Sequence, residues 1–199
     1  VSGALFDMIK LLDISKAVIS RYSKEQVYEM ADTWAKEYDK ELQNLLEENK
    51  EYSLKILGIE RGNEKPRKDI AKWSDLKDNI EYMYDNRFLN NKIDYVYQNI
   101  NDKEEINKIL KEYIENKFDI SDDKQTWFNK IKDVAEKFGY AREVKEYKQN
   151  PENYKGHVGD VSTVIRIALT GRANTPDMYE IMQVLGKDSV NARLNKAIS

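Results

Sequence analysis

The segment from residue 160 to residue 198 repeats one helical pattern three times, and this repetition limits the fold more than any other feature. In each repeat, apolar residues recur every three or four positions, which places them on one face of a helix. Gly171 and Gly186 follow the first two repeats, and glycine commonly ends helices because it adopts left-handed backbone angles without strain. The segment is therefore predicted to form three short helices.

Polar residues before the first two repeats predict where these helices begin. Asp160 suits the cap of the first helix, because its carboxylate can accept hydrogen bonds from unpaired amides. Thr175 and Pro176 suit the start of the second helix, where threonine caps and proline needs no amide donor. A helix that starts at this pair would direct unpaired amides and the positive end of its dipole towards solvent.

The same helical spacing recurs along the rest of the chain, and no segment shows the alternation of a strand. The longest predicted helix spans residues 24–48, after a capping box formed by Ser23 and Gln26. Residues 62–72 combine proline, glycine and mixed charge without an apolar stripe, which predicts a loop. Further helices are expected after the candidate caps Ser2, Ser74, Asn101 and Ser121.

Residues 119–123 form an acidic break that predicts a boundary between two helical subdomains, residues 1–118 and residues 119–199. Before this break, residues 90–100 fit a helical spacing, although their tyrosines and asparagines have low helix propensity. The expected fold class is all-α, a helical bundle of two subdomains.

The composition excludes several classes of protein. Charged residues make up 35% and hydrophobic residues 40% of the 199 residues, which argues against disorder. No segment approaches the roughly 18 consecutive apolar residues of a membrane span, and Lys10 and Asp13 interrupt the short apolar run at the start, unlike a signal peptide. The absence of cysteine excludes disulfides and thiol nucleophiles, and it is compatible with the cytoplasmic location that we expect.

The net charge of −3 leaves two kinds of function open. An RNA-binding role requires local basic surface, because the chain as a whole does not attract polyanions. A helical protein-interaction scaffold without RNA binding would instead show an exposed apolar groove with no basic surface beside it. The first residue, Val1, followed at once by the candidate cap Ser2, suggests a fragment of a longer protein.

The sequence offers no set of residues for catalysis or metal binding. His157 is the only histidine, and its setting in K-G-H-V-G-D suggests a surface or capping role. Gly156 and Gly159 do not form a phosphate-binding loop, because no strand precedes them and no Lys-Ser or Lys-Thr pair follows. We therefore expect no catalytic residue and no metal site in this chain, which makes a stand-alone enzyme the least favoured function.

Two motifs resemble bacterial glutamyl-tRNA synthetases. The run R-x-A-L-T-G-R-x-x-T-P-x-x-Y-E-I-M-x-V-L-G-K-x-x-V-x-x-R-L, residues 166–194, resembles the C-terminal end of these enzymes. The runs F-D-M-I-K-L and I-S-R-Y-S-K-E-Q-V, residues 6–11 and 19–27, resemble the segment that leads from their tRNA-stem-contacting region into their anticodon-binding region. The resemblance brackets nearly the whole chain.

This resemblance implies a function as well as a fold. It implies a helical cage of the class I synthetase anticodon-binding type, which recognises the tRNA anticodon for an enzyme that ligates glutamate to tRNA with ATP. The H-I-G-H-like and K-M-S-K-S-like signatures of the catalytic part are missing here, so ATP and magnesium belong to a part outside this chain. The implied partner is a glutamate-type tRNA, and a glutamine-type tRNA if the two are not distinguished, and the chain is expected to be a monomer.

The resemblance also transfers a set of binding residues. In the family, the arginine of the L-T-G helix and the T-P turn face the anticodon, and the matching positions are Arg166, Thr175, Pro176 and Met178. Arg172 lies in the same turn region and is expected to add a phosphate contact. An arginine that reads the third anticodon base corresponds to Arg67 or Lys68. From the residues alone, two explanations without RNA binding stay open. Thr175-Pro176 caps a helix whether or not the chain binds RNA, and Arg166 forms an ion pair with an acidic residue.

Overall fold

The computed structural model describes residues 7–198, and the regular elements in this part of the chain are helices, as the all-α prediction requires. The contacts divide the chain into two compact units, Val1–Tyr84 (unit 1) and Asp85–Ser199 (unit 2). The candidate cap Ser2 and the first residue of the N-terminal motif, Phe6, lie outside the described residues. None of the helices within residues 7–198 combines the length and hydropathy that a membrane span requires.

The described part of unit 1 contains the helices α1 (Met8–Ile19), α2 (Lys24–Tyr38), α3 (Lys40–Glu48), α4 (Lys50–Gly58) and α5 (Leu76–Ile80). Short connections join the first four helices, and a longer one follows α4. Helix α2 packs against both α3 and α4, and Val27, Ala31 and Leu42 are fully buried. Short 3-10 turns lie on either side of α5, at Trp73–Asp75 and Glu81–Met83.

Asp39 breaks the long helix that the sequence predicted over residues 24–48, so that prediction is wrong. The Asp39 backbone leaves helical angles (φ −148°, ψ 89°), and its carboxylate accepts hydrogen bonds from the amides of Glu41 and Leu42 at 3.1 and 2.9 Å. The aspartate thereby caps α3 directly after α2 ends. The predicted capping box of Ser23 and Gln26 at the start of α2 is confirmed.

The predicted loop over residues 62–72 is confirmed, and Arg61 anchors its start. The Arg61 guanidinium donates to the carbonyl oxygens of Ile19 at 2.8 Å, Tyr22 at 3.1 Å and Leu57 at 2.9 Å. Burial lowers the pKa of Arg61, because the charged form loses hydration. These three hydrogen bonds join the end of α1 to the end of α4, so the loop starts from a fixed point.

Unit 2 is organised around a central helix, α10 (Val158–Thr170), which contacts α7 (Lys103–Asn116), α8 (Lys124–Lys137) and α11 (Met178–Ala197). Its residues Val161, Ile165 and Ala168 have no exposed surface, so the apolar stripe predicted for this helix is confirmed. The helices are α6 (Asp85–Phe88), α7 (Lys103–Asn116), α8 (Lys124–Lys137), α9 (Val144–Gln149), α10 (Val158–Thr170) and α11 (Met178–Ala197), with a 3-10 turn at Pro151–Asn153.

The division between the two units falls earlier than the boundary expected between residues 118 and 119. Helix α7 lies before that expected boundary, but it packs against α8, α10 and α11. Its buried residues Ile109, Leu110 and Tyr113 therefore belong to the core of unit 2. The acidic residues 119–123 form a connection within this unit.

Aspartates one or two positions away replace two of the predicted helix caps. Asp102, rather than Asn101, caps α7. Asp123, rather than Ser121, caps α8 by accepting a hydrogen bond from the Thr126 amide at 2.7 Å. A carboxylate at this position also interacts favourably with the positive end of the helix dipole, which a neutral side chain does not.

Two further predictions about helices are wrong. Residues 90–100 contain no helix, in agreement with the low propensity of their tyrosines and asparagines. Ser74 does not cap α5, because it lies inside the 3-10 turn Trp73–Asp75 that runs directly into that helix.

The C-terminal segment contains the predicted helical pattern, with a different first cap. His157 caps α10 by accepting a hydrogen bond from the Gly159 amide at Nδ1, and the Asp160 carboxylate accepts from the His157 amide at 2.8 Å. The capping role predicted for His157 is therefore confirmed, whereas Asp160 is the third residue of its capping box. Gly171 ends α10 at φ 72°, and Gly186 interrupts α11 at φ 79°, as the sequence predicted.

Candidate nucleic-acid interface

Arg166 fastens the turn that connects α10 to α11. Its Nη1 donates to the hydroxyl of Thr175 and to the carbonyl oxygen of Pro176 at 2.9 Å, and a longer contact of 3.5 Å reaches the Thr175 carbonyl. The Thr175 hydroxyl in turn donates to the Pro176 carbonyl at 2.9 Å. Arg166, Thr175 and Pro176, which the resemblance grouped together, are thus joined by hydrogen bonds. The hydrogen bonds described for the Arg166 Nη1 end on a hydroxyl and on carbonyl oxygens.

Asp177, rather than Thr175, caps α11, so the predicted helix start at Thr175 and Pro176 is wrong. One Asp177 carboxylate oxygen accepts from the Glu180 amide at 3.0 Å, and the other lies 2.7 Å from the Lys124 ammonium. An aspartate therefore occupies the helix start where open amide donors were expected. The negative charge of this carboxylate, which accepts the Glu180 amide, lowers the attraction of this end of α11 for a phosphate.

A cavity of about 530 Å³ lies beside this turn, between α8, α10 and the start of α11. Its volume falls in the range of about 300 to 1,000 Å³ that is usual for small-ligand sites. Lys124 and Gln125 are exposed at one side, and Met178 is buried on another. The cavity is lined by Lys124, Gln125, Trp127, Phe128, Ser162, Arg166, Asp177 and Met178.

Aromatic side chains form one wall of this cavity. Trp127 is 7% exposed, and its indole nitrogen donates to the Tyr113 hydroxyl at 3.0 Å, so it is anchored in the core of unit 2. Burial raises the pKa of Tyr113, which therefore stays a neutral hydrogen-bonding group. Phe128 is only partly buried, and the Lys132 ammonium lies 5.1 Å from its ring centroid. This wall therefore combines the buried, hydrogen-bonded indole of Trp127 with the partly accessible ring of Phe128.

Arg172 lies apart from the other predicted residues of unit 2. It follows Gly171 at the end of α10, and its amide is held by the Thr170 hydroxyl at 3.2 Å. Arg172 does not line the cavity, whereas Arg166 and Met178 do. The structure therefore groups Arg166, Thr175, Pro176 and Met178 at one place, with Arg172 at the opposite end of the same connection.

Arg67 and Lys68, the two candidates in unit 1, have different surroundings. The Arg67 guanidinium is held by the Asp69 carboxylate at 2.9 Å, with both side chains about one third exposed. Lys68 is exposed and lines a cavity of about 490 Å³. The other lining residues of that cavity include two more cations, Arg21 and Lys65. The loop thus presents one oriented guanidinium, and its Lys65 and Lys68 line a cavity with Arg21, which follows α1, and with the acidic Glu64.

The contribution of α8 to the cavity in unit 2 was not predicted from the sequence. Neither Trp127 and Phe128 on α8 nor Ser162 on α10 were among the candidate site residues. A signal was available, because Ser162 and Arg166 are four residues apart and therefore lie on one side of α10. Because α8 and α10 are far apart in sequence, their spacing did not indicate that Phe128 lines the same cavity.

Comparison with known proteins places this helical chain in a class of RNA-recognition domain. Residues 26–198 match the family described as anticodon binding domain. Because the match covers most of the chain, the chain belongs to the anticodon binding domain family.

Curated relatives narrow this class further. The chain is 48% identical over 197 residues to the glutamate–tRNA ligase of Acetivibrio thermocellus, covering 99% of this chain and 35% of that protein. It is 43% identical over 199 residues to that of Clostridium perfringens strain SM101, covering 100% and 36%. It is 45% identical over 192 residues to that of Sorangium cellulosum, covering 96% and 33%. The chain spans about a third of the length of these relatives, and the resemblance to glutamyl-tRNA synthetases is confirmed.

Proposed function

We propose that this chain is the anticodon-recognising part of a glutamate–tRNA ligase. The family match over residues 26–198 is the observation that carries the proposal, and the cavity beside Arg166 supports it. Single-stranded anticodon bases are recognised by stacking and by hydrogen bonds to their exposed edges, and both require a recess with aromatic and polar walls. Unit 2 has such a recess.

The ligation of glutamate to tRNA would be carried out by the remaining two thirds of a protein like the relatives. ATP and magnesium would bind in that part, and this chain would add binding energy and base specificity. Its role in the reaction is therefore to select which tRNA reaches a distant active site. We propose a monomeric chain with glutamate-type tRNA as its partner.

The hydrogen bonds of Arg166 assign it a specific role within this proposal. Because its guanidinium fixes the Thr175 hydroxyl and the Pro176 carbonyl, it sets the shape of the turn next to the cavity. Met178 closes the cavity from the start of α11. Arg172, outside the cavity lining, would contact a phosphate, and Arg67 or Lys68 would contact the third anticodon nucleotide.

Binding of tRNA with altered anticodons tests the proposed function. The affinity of the 199-residue chain for a glutamate-type tRNA transcript is compared with its affinity for the same transcript carrying three different anticodon bases. We expect the altered transcript to bind at least about 10-fold more weakly, because each stacked base contributes about 1–3 kcal/mol. Affinity for both transcripts should fall steeply with salt, because phosphate contacts release counterions.

Equal affinity for the two transcripts at every salt concentration would contradict the proposal. The chain would then contact only the body of the tRNA. No detectable binding to either transcript at low salt would instead support the helical protein-interaction scaffold that the acidic net charge left open.

A further inference from the structure

The cavity of about 490 Å³ in unit 1 lies between the end of α1 and the loop of residues 62–72. Its lining includes three cations, Arg21, Lys65 and Lys68, and one acid, Glu64, and all four residues are exposed. Positive charge therefore exceeds negative charge here, although the whole chain carries a net charge of −3. Because a cleft lined mainly by one sign of charge raises the local concentration of ions of the opposite sign, this cavity attracts anions.

The protein does not neutralise these cations itself. Within residues 7–198, none of the four charged side chains that line the cavity forms an ion pair. The acid next to Lys68 in the sequence is Asp69, and its carboxylate holds the Arg67 guanidinium at 2.9 Å instead. An anion inside the cavity would reduce the repulsion among the three cations and would give them a partner.

Hydrogen bonds to α1 and to the turn after it hold both ends of the loop, so the cavity is shaped before a ligand binds. At the start of the loop, the Arg61 guanidinium donates to two carbonyl oxygens that lie on either side of Arg21 along the chain. At its end, the Ser15 hydroxyl donates to the Ala71 carbonyl at 2.5 Å. Little of the binding energy is then needed to order the loop.

A phosphate group suits this arrangement of charges. Arg21 belongs to the turn after α1, whereas Lys65 and Lys68 belong to the loop, so the cations border the space from two segments. The oxygen atoms of a phosphate point in several directions and bind both the fork of a guanidinium and the point charge of an ammonium. The described residues that line the cavity include no aromatic side chain, so a base would find no stacking surface there.

We propose that Arg21, Lys65 and Lys68 form a site for backbone phosphate groups of the bound tRNA. This inference rests on the proposed function, which supplies the RNA, and it adds Arg21 and Lys65 to the residues that contact it. Because phosphate contacts carry no sequence information, the site strengthens the binding of every tRNA and does not distinguish between anticodons. The negative charge of Glu64 at the same cavity limits this attraction.

The salt dependence of tRNA binding tests the site, because each phosphate contact that is lost lowers the slope of log affinity against log salt by about one unit. The test variant combines Arg21→Ala, Lys65→Ala and Lys68→Ala. At about 50 mM salt it should bind a glutamate-type transcript about 10- to 50-fold more weakly than the wild type, and its slope should be lower by about two to three units. A transcript with an altered anticodon should show the same two changes.

A matched control removes three exposed lysines outside the cavity, Lys40, Lys108 and Lys145, and so changes the net charge by the same amount. Its slope should be lower than that of the wild type by less than about one unit, because a change in net charge alone removes no contact. Equal changes of slope in the two triple variants would overturn the inference.

Glu64→Gln keeps the measurement separate from folding, because partial unfolding can only weaken binding. The substitution removes the one negative charge that lines the cavity, so it should strengthen binding of both transcripts by about two- to fivefold at low salt. Unchanged or weaker binding by this variant would overturn the inference.

Calorimetric titration with inorganic phosphate distinguishes the RNA backbone from a free anion as the source of the phosphate group. If the wild type binds inorganic phosphate, the test variant does not, and both bind tRNA equally, the site holds a free anion and the RNA assignment is overturned. If the wild type binds both transcripts equally and the test variant loses affinity for both, the proposed function fails and the phosphate site stands. If the wild type distinguishes the transcripts and the test variant binds like it, only the present inference fails.

Discussion

The guanidinium of Arg193 is completely buried, and its Nε and Nη2 both lie 2.8 Å from the same carboxylate oxygen of Asp85. The Ser189 hydroxyl donates to that oxygen at 2.7 Å, and the Phe88 ring centroid lies 4.3 Å from the guanidinium carbon. The Arg193 Nη1 also reaches the Leu169 carbonyl at 3.3 Å. This one arginine ties α6, the end of α10 and the C-terminal half of α11 together.

Asp85→Ala should therefore destabilise the protein strongly. The change leaves the buried Arg193 charge without its carboxylate. Because the Asp85 side chain is itself 43% exposed, water can partly replace it, and the loss should be about 2–3 kcal/mol, below the roughly 3–5 kcal/mol of a fully buried pair. The measurement is the free energy of unfolding in urea, monitored by circular dichroism. Asp94→Ala is the control, because the Lys92–Asp94 pair is almost fully exposed at 3.9 Å and should cost less than about 1 kcal/mol. Similar losses for the two variants would contradict the prediction.

Arg166→Ala should weaken binding of the cognate transcript by about 10- to 100-fold, because a charged donor to the Thr175–Pro176 turn is lost. The loss should be smaller for a transcript with an altered anticodon. Arg166→Lys should not restore binding, because an ammonium does not reproduce the planar fork of a guanidinium. Fluorescence anisotropy with the two transcripts measures both effects, and an equal loss on both would make Arg166 a phosphate contact.

Arg172→Ala should behave differently from Arg166→Ala. In the proposed function Arg172 contacts a phosphate, so it should contribute equally to both transcripts, and its removal should reduce the slope of log affinity against log salt by about one unit. A loss confined to the cognate transcript would instead place Arg172 at a base.

Arg67 and Lys68 should also have separable effects. Asp69 orients the Arg67 guanidinium, which suits the reading of a base edge, whereas the exposed ammonium of Lys68 suits a phosphate. Arg67→Ala should therefore reduce the discrimination between transcripts that differ only in the third anticodon base, the base that distinguishes a glutamate-type from a glutamine-type anticodon. Lys68→Ala should weaken both equally. Asp69→Asn, which releases Arg67 without removing its charge, should also reduce discrimination, and unchanged discrimination in both variants would exclude Arg67.

Unit 1 should lose stability in alkaline solution because of Tyr84. Burial raises the pKa of Tyr84 to about 12, although its hydrogen bond with the Ser53 hydroxyl at 2.9 Å acts in the opposite direction. Below pH 10, the hydroxyl keeps its proton in both folded and unfolded chains, and its full contribution is present. Between pH 10 and pH 12, the unfolded chain releases the proton first, which costs about 2–3 kcal/mol of stability.

Comparison with Tyr84→Phe isolates this effect from the titration of lysines and other tyrosines. The variant should be less stable than the wild type at pH 9 by about 1 kcal/mol, because it lacks the hydrogen bond. That difference should shrink and then reverse as the pH approaches 12. A difference in unfolding free energy that stays constant from pH 9 to pH 12 would show that Tyr84 does not titrate with a raised pKa.

The sequence predicted the features that depend on local spacing and local chemistry. The apolar stripes, the Ser23 capping box and the helix end at Gly171 need only neighbouring residues, and all three are confirmed. The break at Asp39 was missed because the stripe continues across it, and a stripe records which residues are buried rather than whether the helix is continuous.

Features that depend on distant partners could not be predicted in this way. Arg193 lies 108 residues from Asp85, and arginine is rarely buried without a partner, so sequence spacing gave no reason to place it in the core. At the candidate site, the family resemblance named Arg166, Thr175, Pro176 and Met178, which the structure places close together, and their role in binding stays a prediction. It did not show that Asp177 caps α11, because threonine followed by proline and aspartate two residues later are both acceptable helix starts.

The pairing of Asp177 with Lys124 at the N-terminal end of α11 has a consequence for how the proposed enzyme selects its tRNA. This ion pair cancels the Lys124 charge and leaves Arg166 as the remaining cation among the residues that line the recess, so in the proposed function a bound RNA would gain less from general attraction than from the contacts it makes inside the recess. Changes in the ionic conditions of the cell should then alter how often a tRNA is captured much more than they alter which tRNA is retained.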